Sequence, residues 1–244
     1  MSAPVVPSIR YPEQDGQPMA DNTLQFRWIM KLQGSLDAQF RNDPNVFVAG
    51  DLLWYPIEGR PEIRQAPDVL VALGRPKGYR GSYMQWEEAG VAPQVVFEVL
   101  SPGNRHGEMV RKHAFYEKHG VEEYYVYDPD RLHLEGWRRD SDEELRAIGD
   151  MNGWTSPLLG IRFEQVASGE MEVYHPDGRR FLTYVEVEEQ RELEAEGRRE
   201  AEDARRIEAE GRACMLEGTL GGEPHVRACR SVHPLPRAGW PANG

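Results

Sequence analysis

Cysteine is almost missing from this chain of 244 residues, which has two, Cys214 and Cys229. Both fall after residue 213, so no disulfide or cysteine-ligated metal can hold the part before it, and their number and spacing make no zinc site. A cysteine-free core fits the reducing cytoplasm, the expected location. Long apolar runs are missing too. Nothing approaches the roughly 20 residues that cross a bilayer, so no membrane partner is expected. Residues 1–20 are proline-rich and lack the basic start and apolar centre of an export signal, so export is not expected. Positive charge is scarce. The net charge is -12, and acids outnumber bases both before and after Glu188. That excludes a general nucleic-acid coat, which needs lysine and arginine to neutralise phosphates, but leaves room for a local basic site. Three motifs are absent as well: His-Glu-x-x-His, Gly-x-x-x-x-Gly-Lys and Gly-x-Ser-x-Gly. Zinc hydrolases, phosphate-loop enzymes and serine hydrolases are therefore unsupported.

What is present centres on residues 66–129. Two short apolar runs, Pro67-Asp68-Val69-Leu70-Val71-Ala72-Leu73 and Gln94-Val95-Val96-Phe97-Glu98-Val99-Leu100, read as strands buried on both faces, and each carries one acid. An ionised carboxylate in such a run is costly without a partner. One divalent cation would compensate both Asp68 and Glu98 and keep positions open for water and substrate. The plainer alternative makes Asp68 a turn-capping acid and Glu98 one half of a buried ion pair with Lys112. A helix follows over about residues 107–119, closed by Gly120, and places Glu108, Lys112 and Tyr116 on one face at intervals of four. The run Tyr124-Tyr125-Val126-Tyr127 then resumes as a strand. Strand, turn, helix and strand in that order predict a crossover unit with the Glu98 and Tyr125 strands as parallel neighbours.

Around this centre the chain divides into four parts. Residues 1–20 form an extended N-terminal arm. Residues 21–187 form an α/β domain that begins with a helix whose apolar face carries Leu24, Trp28, Leu32, Leu36 and Phe40, with Asp21 or Asn22 as cap. A strand over 46–55 contains Asp51, which reads as a turn-facing acid or a further ligand. Residues 74–83 make a loop with Arg75, Lys77 and Arg80, two tyrosines and no acid. Such a loop can contact nucleic-acid backbone and bases, and reads equally well as a solvated loop. Short strands are expected over 132–138, 145–148 and 161–163, and a hairpin over 171–184 turns at Pro176-Asp177-Gly178; together they would extend one sheet edge. Residues 188–213 read as a charged helix or weak coiled coil, in which Glu-Ala-Glu-Gly-Arg recurs at 194 and 208 and Leu193 and Ile207 share a heptad position. Residues 214–244 are expected to be disordered.

Several of these segments together resemble a known family. They are residues 45–51, Ala66-Pro67-Asp68-Val69-Leu70-Val71, Val96-Phe97-Glu98-Val99-Leu100-Ser101-Pro102, then Glu108, Lys112 and Tyr116, and residues 120–129. The chain from about Thr23 to Tyr184 resembles the Uma-type restriction endonucleases, a branch of the PD-(D/E)XK nuclease superfamily. The resemblance implies a restriction-endonuclease-like central mixed sheet flanked by helices, with the charged helical tail outside it. It also implies hydrolysis of DNA phosphodiesters with Mg²⁺ or Mn²⁺ as cofactor. Asp68 and Glu98 match the two metal-binding acids. Leu100 stands where the superfamily pattern has lysine, and Lys112 stands where this family recruits one from the following helix. Glu108, Tyr116 and Asp51 would be supporting residues, and Glu13 is the nearest counterpart of a glutamate found ahead of the family's first helix. DNA is the expected partner, with a homo-oligomer left open. Two rivals remain: a nuclease-fold protein that no longer cuts and acts as an interaction or nucleic-acid-binding module, and a metal-free carboxylate-pair hydrolase acting on sugars.

Overall fold

The structure is a computed structural model that describes residues 9–14, 16, 18–103, 106–166 and 169–220. Its elements, in chain order, are α1 (Thr23–Gln39), β1 (Val46–Gly50), β2 (Trp54–Tyr55), β3 (Val69–Leu73), β4 (Tyr83–Met84), β5 (Val95–Val99), α2 (His106–His119), β6 (Glu123–Asp128), β7 (His133–Arg139), β8 (Leu145–Ala147), β9 (Arg162–Gln165), β10 (Met171–Tyr174) and α3 (Tyr184–Leu220). The fold is mixed α/β. Its centre is a six-stranded sheet in the order β1-β3-β5-β6-β7-β8, in which β5 and β6 run parallel and every other pair runs antiparallel. The parallel pair is the expected crossover, made by α2.

Alternation along the strands sorts the core into two layers. Val69, Val71, Val95, Phe97 and Val99 face α1 and meet Trp28, Ile29, Leu32 and Leu36. Leu70, Ala72, Val96, Tyr124 and Val126 face the other way and meet Tyr116 of α2 with Trp54 and Tyr83. Helix α1 begins where a cap residue permits: the Asn22 side chain accepts the Gln25 N–H at 2.9 Å. Gln25 in turn donates to the Val99 carbonyl at 2.8 Å and accepts from the Asp21 N–H at 2.7 Å, which ties the start of α1 to the end of β5. Of the N-terminal arm, Tyr11 packs edge-on to Tyr55 at 5.3 Å, and the Tyr55 hydroxyl donates to the Pro12 carbonyl.

Three expectations need correction. The strand over 46–55 is broken, because Asp51 takes a positive φ of 48° and separates β1 from β2. Aspartate enters that region more readily than most side chains. The segments after 161 do not extend the central sheet; β9 and β10 form a separate two-stranded sheet. The turn at Pro176-Asp177-Gly178 forms, with Gly178 at φ 85°, but the returning run makes a single bridge, Tyr174 to Arg180. A capping box explains why it goes no further. The Thr183 hydroxyl accepts the Glu186 N–H, and the Glu186 carboxylate accepts the Thr183 N–H at 2.7 Å, so α3 starts at Tyr184.

The chain divides into two compact units, Met1–Glu188 and Glu189–Gly244. Helix α3 continues through residues 214–220, where disorder was expected; residues 221–244 lie outside the described ones. In the second unit Leu193 and Ile207 are 70% and 64% exposed, so among the described residues the heptad pair is left uncovered. Among the described residues no helix is long and apolar enough to cross a membrane.

A buried carboxylate closes the first unit. Glu123, at the start of β6, is 1% exposed and accepts from the Tyr125 hydroxyl at 3.0 Å, the Ser156 hydroxyl at 2.5 Å and the Leu158 N–H at 3.1 Å. It anchors Ser156 and Leu158 to the sheet through hydrogen bonds. Replacing Glu123 with alanine should strand three buried donors and lower stability by about 3 kcal/mol. Urea unfolding should show this as a lower midpoint at an unchanged slope.

Candidate active site

The β3–β5 register pairs Val69 with Phe97, and Asp68 lies one residue ahead of that pair, beside Glu98 and Val99. Its Oδ2 accepts the Val99 N–H at 2.6 Å, and its carbonyl accepts the Asp51 N–H at 3.2 Å. Glu98 is in step with Val96, so it points to the α2 side of the sheet, where it is 2% exposed. Two residues one helical turn apart on α2 reach down to it. Lys112 Nζ lies 2.7 Å from Glu98 Oε2, and the Tyr116 hydroxyl donates to Oε1 at 2.5 Å. The Lys112 and Glu98 side chains are only 11% and 3% exposed.

Electrostatics bind these groups into one cluster. Burial, and then the neighbouring Glu98 charge, push the Asp68 carboxyl well above the usual carboxylate range, with Asp51 adding to the push; Lys112 and the Val99 N–H pull the other way. Burial alone would lower Lys112, but the charges of Glu98 and Asp68 outweigh it and hold the ammonium above its ordinary value. Burial and the Glu98 charge raise Tyr116 well above a normal phenol, so it stays a donor. Glu108, one turn before Lys112, adds a weaker negative influence on it. Asp51 acts on Asp68 through its charge and its backbone.

The donor set suits a hard divalent cation. Two carboxylates, with Asp51 behind them, face a single ammonium, and the Val99 bond leaves a second Asp68 oxygen for a cation. Mg²⁺ is commonly held by one or two carboxylates, with water and phosphate oxygens completing its shell. Among the described residues no group of three or more histidine, cysteine, aspartate or glutamate side chains is arranged around a metal position. Protein ligands alone therefore do not form a closed cage.

The basic loop is differently placed. Arg75 and Arg80 both grip Glu88, at 2.9 and 2.5 Å, and Lys77 reaches Asp37 at 3.0 Å. The Arg80 guanidinium also lies over the Phe47 ring at 3.9 Å. Glu88, which the loop composition does not reveal, is 8% exposed, and the Arg80 hydrogen bond holds it below the usual carboxylate range against the effect of burial. Glu13 sits against Gly81, where an added Cβ would collide with its carboxyl group.

Residues 9–168 match the model of the Uma2 family, described as "Putative restriction endonuclease". The chain belongs to this family. A crystal structure of "a putative nuclease belonging to DUF820" from Anabaena variabilis is similar at 13% identity with a TM-score of 0.41, covering 56% of this chain and 72% of that one. No curated protein matches the sequence. Within the Uma2 match lie Asp51, Asp68, Arg75, Lys77, Arg80, Glu98, Glu108, Lys112 and Tyr116, all residues singled out from the sequence.

Because folding raises the Asp68 pKa above its unfolded value, the folded chain holds this proton more tightly. Stability from this group is full below the unfolded carboxylate pKa and is lost as pH rises through the folded one. Asp68→Asn keeps an acceptor for the Val99 N–H and removes that loss. The variant should melt higher than wild type at pH 8, and the difference should shrink as pH falls toward 4. Thermal melts across this range test the assignment, and an equal gap at every pH would overturn it.

Proposed function

We propose that the protein is a Mg²⁺-dependent endonuclease that hydrolyses phosphodiester bonds in DNA. The observation that carries the reading is the cluster of Asp68, Glu98 and Lys112 on one sheet face, in a chain of the restriction endonuclease family. Asp68 and Glu98 hold the cation, for which Mn²⁺ can substitute. When bound, the cation spreads the charge that builds on the phosphate oxygens and acidifies a water. Lys112, raised rather than lowered in pKa, stays protonated at neutral pH and so cannot act as the base. Its ammonium orients the attacking water and stabilises developing negative charge. Tyr116 keeps one Glu98 oxygen in place, and Glu108 and Asp51 tune the local charge. Lys112 stands in for the lysine that the superfamily carries on the strand: Leu100 is apolar and half-buried, and Lys112 reaches Glu98 from the helix packed over that same sheet face.

Two observations favour a second reading, in which the fold is kept as a binding module without cleavage. Both Glu98 oxygens already have protein partners, and the loop bases at 75, 77 and 80 are matched by Glu88 and Asp37.

Incubation of the purified chain with supercoiled plasmid and Mg²⁺ separates the two. The enzyme reading expects nicked or linear product, abolished by chelation and by Glu98→Ala; it fails if no divalent metal supports cutting or if Glu98→Ala cuts at the wild-type rate. Lys112→Met should cut at least about 100-fold more slowly. It should also lose about 3–5 kcal/mol of stability, because it leaves Glu98 buried without its cation partner. Rates are compared at a temperature where circular dichroism shows both proteins folded.

A further inference from the structure

Helix α2 borders a second concavity. A cleft of about 1060 Å³ opens between α2 and strands β6 and β7, and none of Asp68, Glu98 and Lys112 lines it. Three rings form one wall. Tyr124 stacks on half-buried Trp137 with centroids 5.2 Å apart and planes at 24°, and His113 of α2 meets both rings edge-on at 5.9 and 5.3 Å. Met109 adds apolar surface. Tyr124 is 1% exposed, yet its hydroxyl has no hydrogen-bond partner, a state it shares among the described residues only with Ser82. Buried phenols normally find one.

The cleft adjoins the candidate active site through three elements. Leu100 and Ser101, just after Glu98, line it; Val126, which also lines it, is the ladder partner of Glu98; and α2 sends Lys112 to the site while sending Met109 and His113 to the cleft. Its polar groups identify the occupant. Arg131, the one arginine or lysine among the lining residues, lies 3.7 Å from Asp128, and His133 lies 3.5 Å from Glu135, so the lining offers a phosphate no uncommitted arginine or lysine. Mixed acceptors and donors over stacked rings suit a planar, uncharged heterocycle with both donors and acceptors on its edge.

We propose that this cleft receives one unstacked nucleobase of a single-stranded or locally opened strand, next to the scissile phosphate. The role of the strand as substrate rests on the nuclease reading; the binding of a base does not depend on cleavage. A base inside an intact duplex is stacked on both sides and cannot enter, so the inference also assigns the substrate class as unpaired or opened DNA.

The test uses the full chain in EDTA, so that nothing is cut, and a fluorescein-labelled single-stranded decanucleotide read by anisotropy. Ten further oligonucleotides each carry one abasic position. One such position should weaken binding about tenfold. Trp137→Ala should weaken the intact oligonucleotide by a similar factor and erase the abasic effect, while Trp137→Phe should preserve both. His113→Ala, on a half-buried helical position, should reduce the abasic effect and gives a second variant if Trp137→Ala does not fold. The inference is overturned if the oligonucleotide does not bind, if no abasic position matters, or if the abasic effect survives unchanged in the folded variants. The two readings can fail separately. Plasmid cutting without an abasic effect would end this inference and leave the nuclease standing. An abasic effect that persists in Asp68→Asn, in a protein that cuts nothing with any divalent metal, would keep the cleft and end the nuclease.

Discussion

The buried pair between Glu98 and Lys112 is the constraint on which the site depends. A carboxylate in the middle layer of an apolar sheet is unfavourable on its own, and its attraction to a single ammonium does no more than roughly offset the desolvation of both. The pair persists because the geometry around it is over-determined. β5 is fixed between β3 and β6, α2 is fixed by the crossover, and Tyr116 donates to the oxygen that Lys112 does not reach. Hydrophobic residues of similar size would fill this space at lower cost. Retaining charge here also acts on the neighbour: burial and then the Glu98 charge raise the pKa of Asp68 well above the usual carboxylate range.

The same helix links chemistry to shape. Residues 112 and 116 point toward Glu98, while residues 109 and 113 turn toward the aromatic cleft, so one rigid element sets both geometries. A shift of α2 would disturb both together. The overall acidity of the chain is consistent with this arrangement, since the loop bases and Lys112 are committed to particular partners. Arg75 and Arg80 hold Glu88, Lys77 holds Asp37 and Lys112 holds Glu98. Contact with a nucleic acid would have to come from local geometry rather than from the net field of the molecule.

Much of this arrangement was legible in the chain itself. Runs of valine and leucine bounded by proline and glycine located β3 and β5, spacing of four located the Lys112 face of α2, and the crossover order gave the parallel β5–β6 pair. What was not read had two sources, local conformation and partners from distant segments. The strand over 46–55 reads as continuous until Asp51 adopts a positive φ, and the run after Gly178 has strand character until the Thr183–Glu186 capping box commits it to a helix start. That box is a local signal that the sequence does carry. Glu88 and the Tyr124–Trp137 wall carry no local signal: each depends on a partner from another segment.

The sequence by itself determined which residues could carry charge and which faces had to be buried, because strand alternation and helical periodicity are properties of neighbouring residues. It also supplied two acids in apolar runs and a lysine at helical spacing. Only the tertiary structure decided that Asp68 stands beside Glu98, that both Glu98 oxygens are engaged from α2, and that the loop bases are spent on Glu88 and Asp37. These outcomes turn on strand register and on the distances between segments far apart in the chain, which no local pattern encodes.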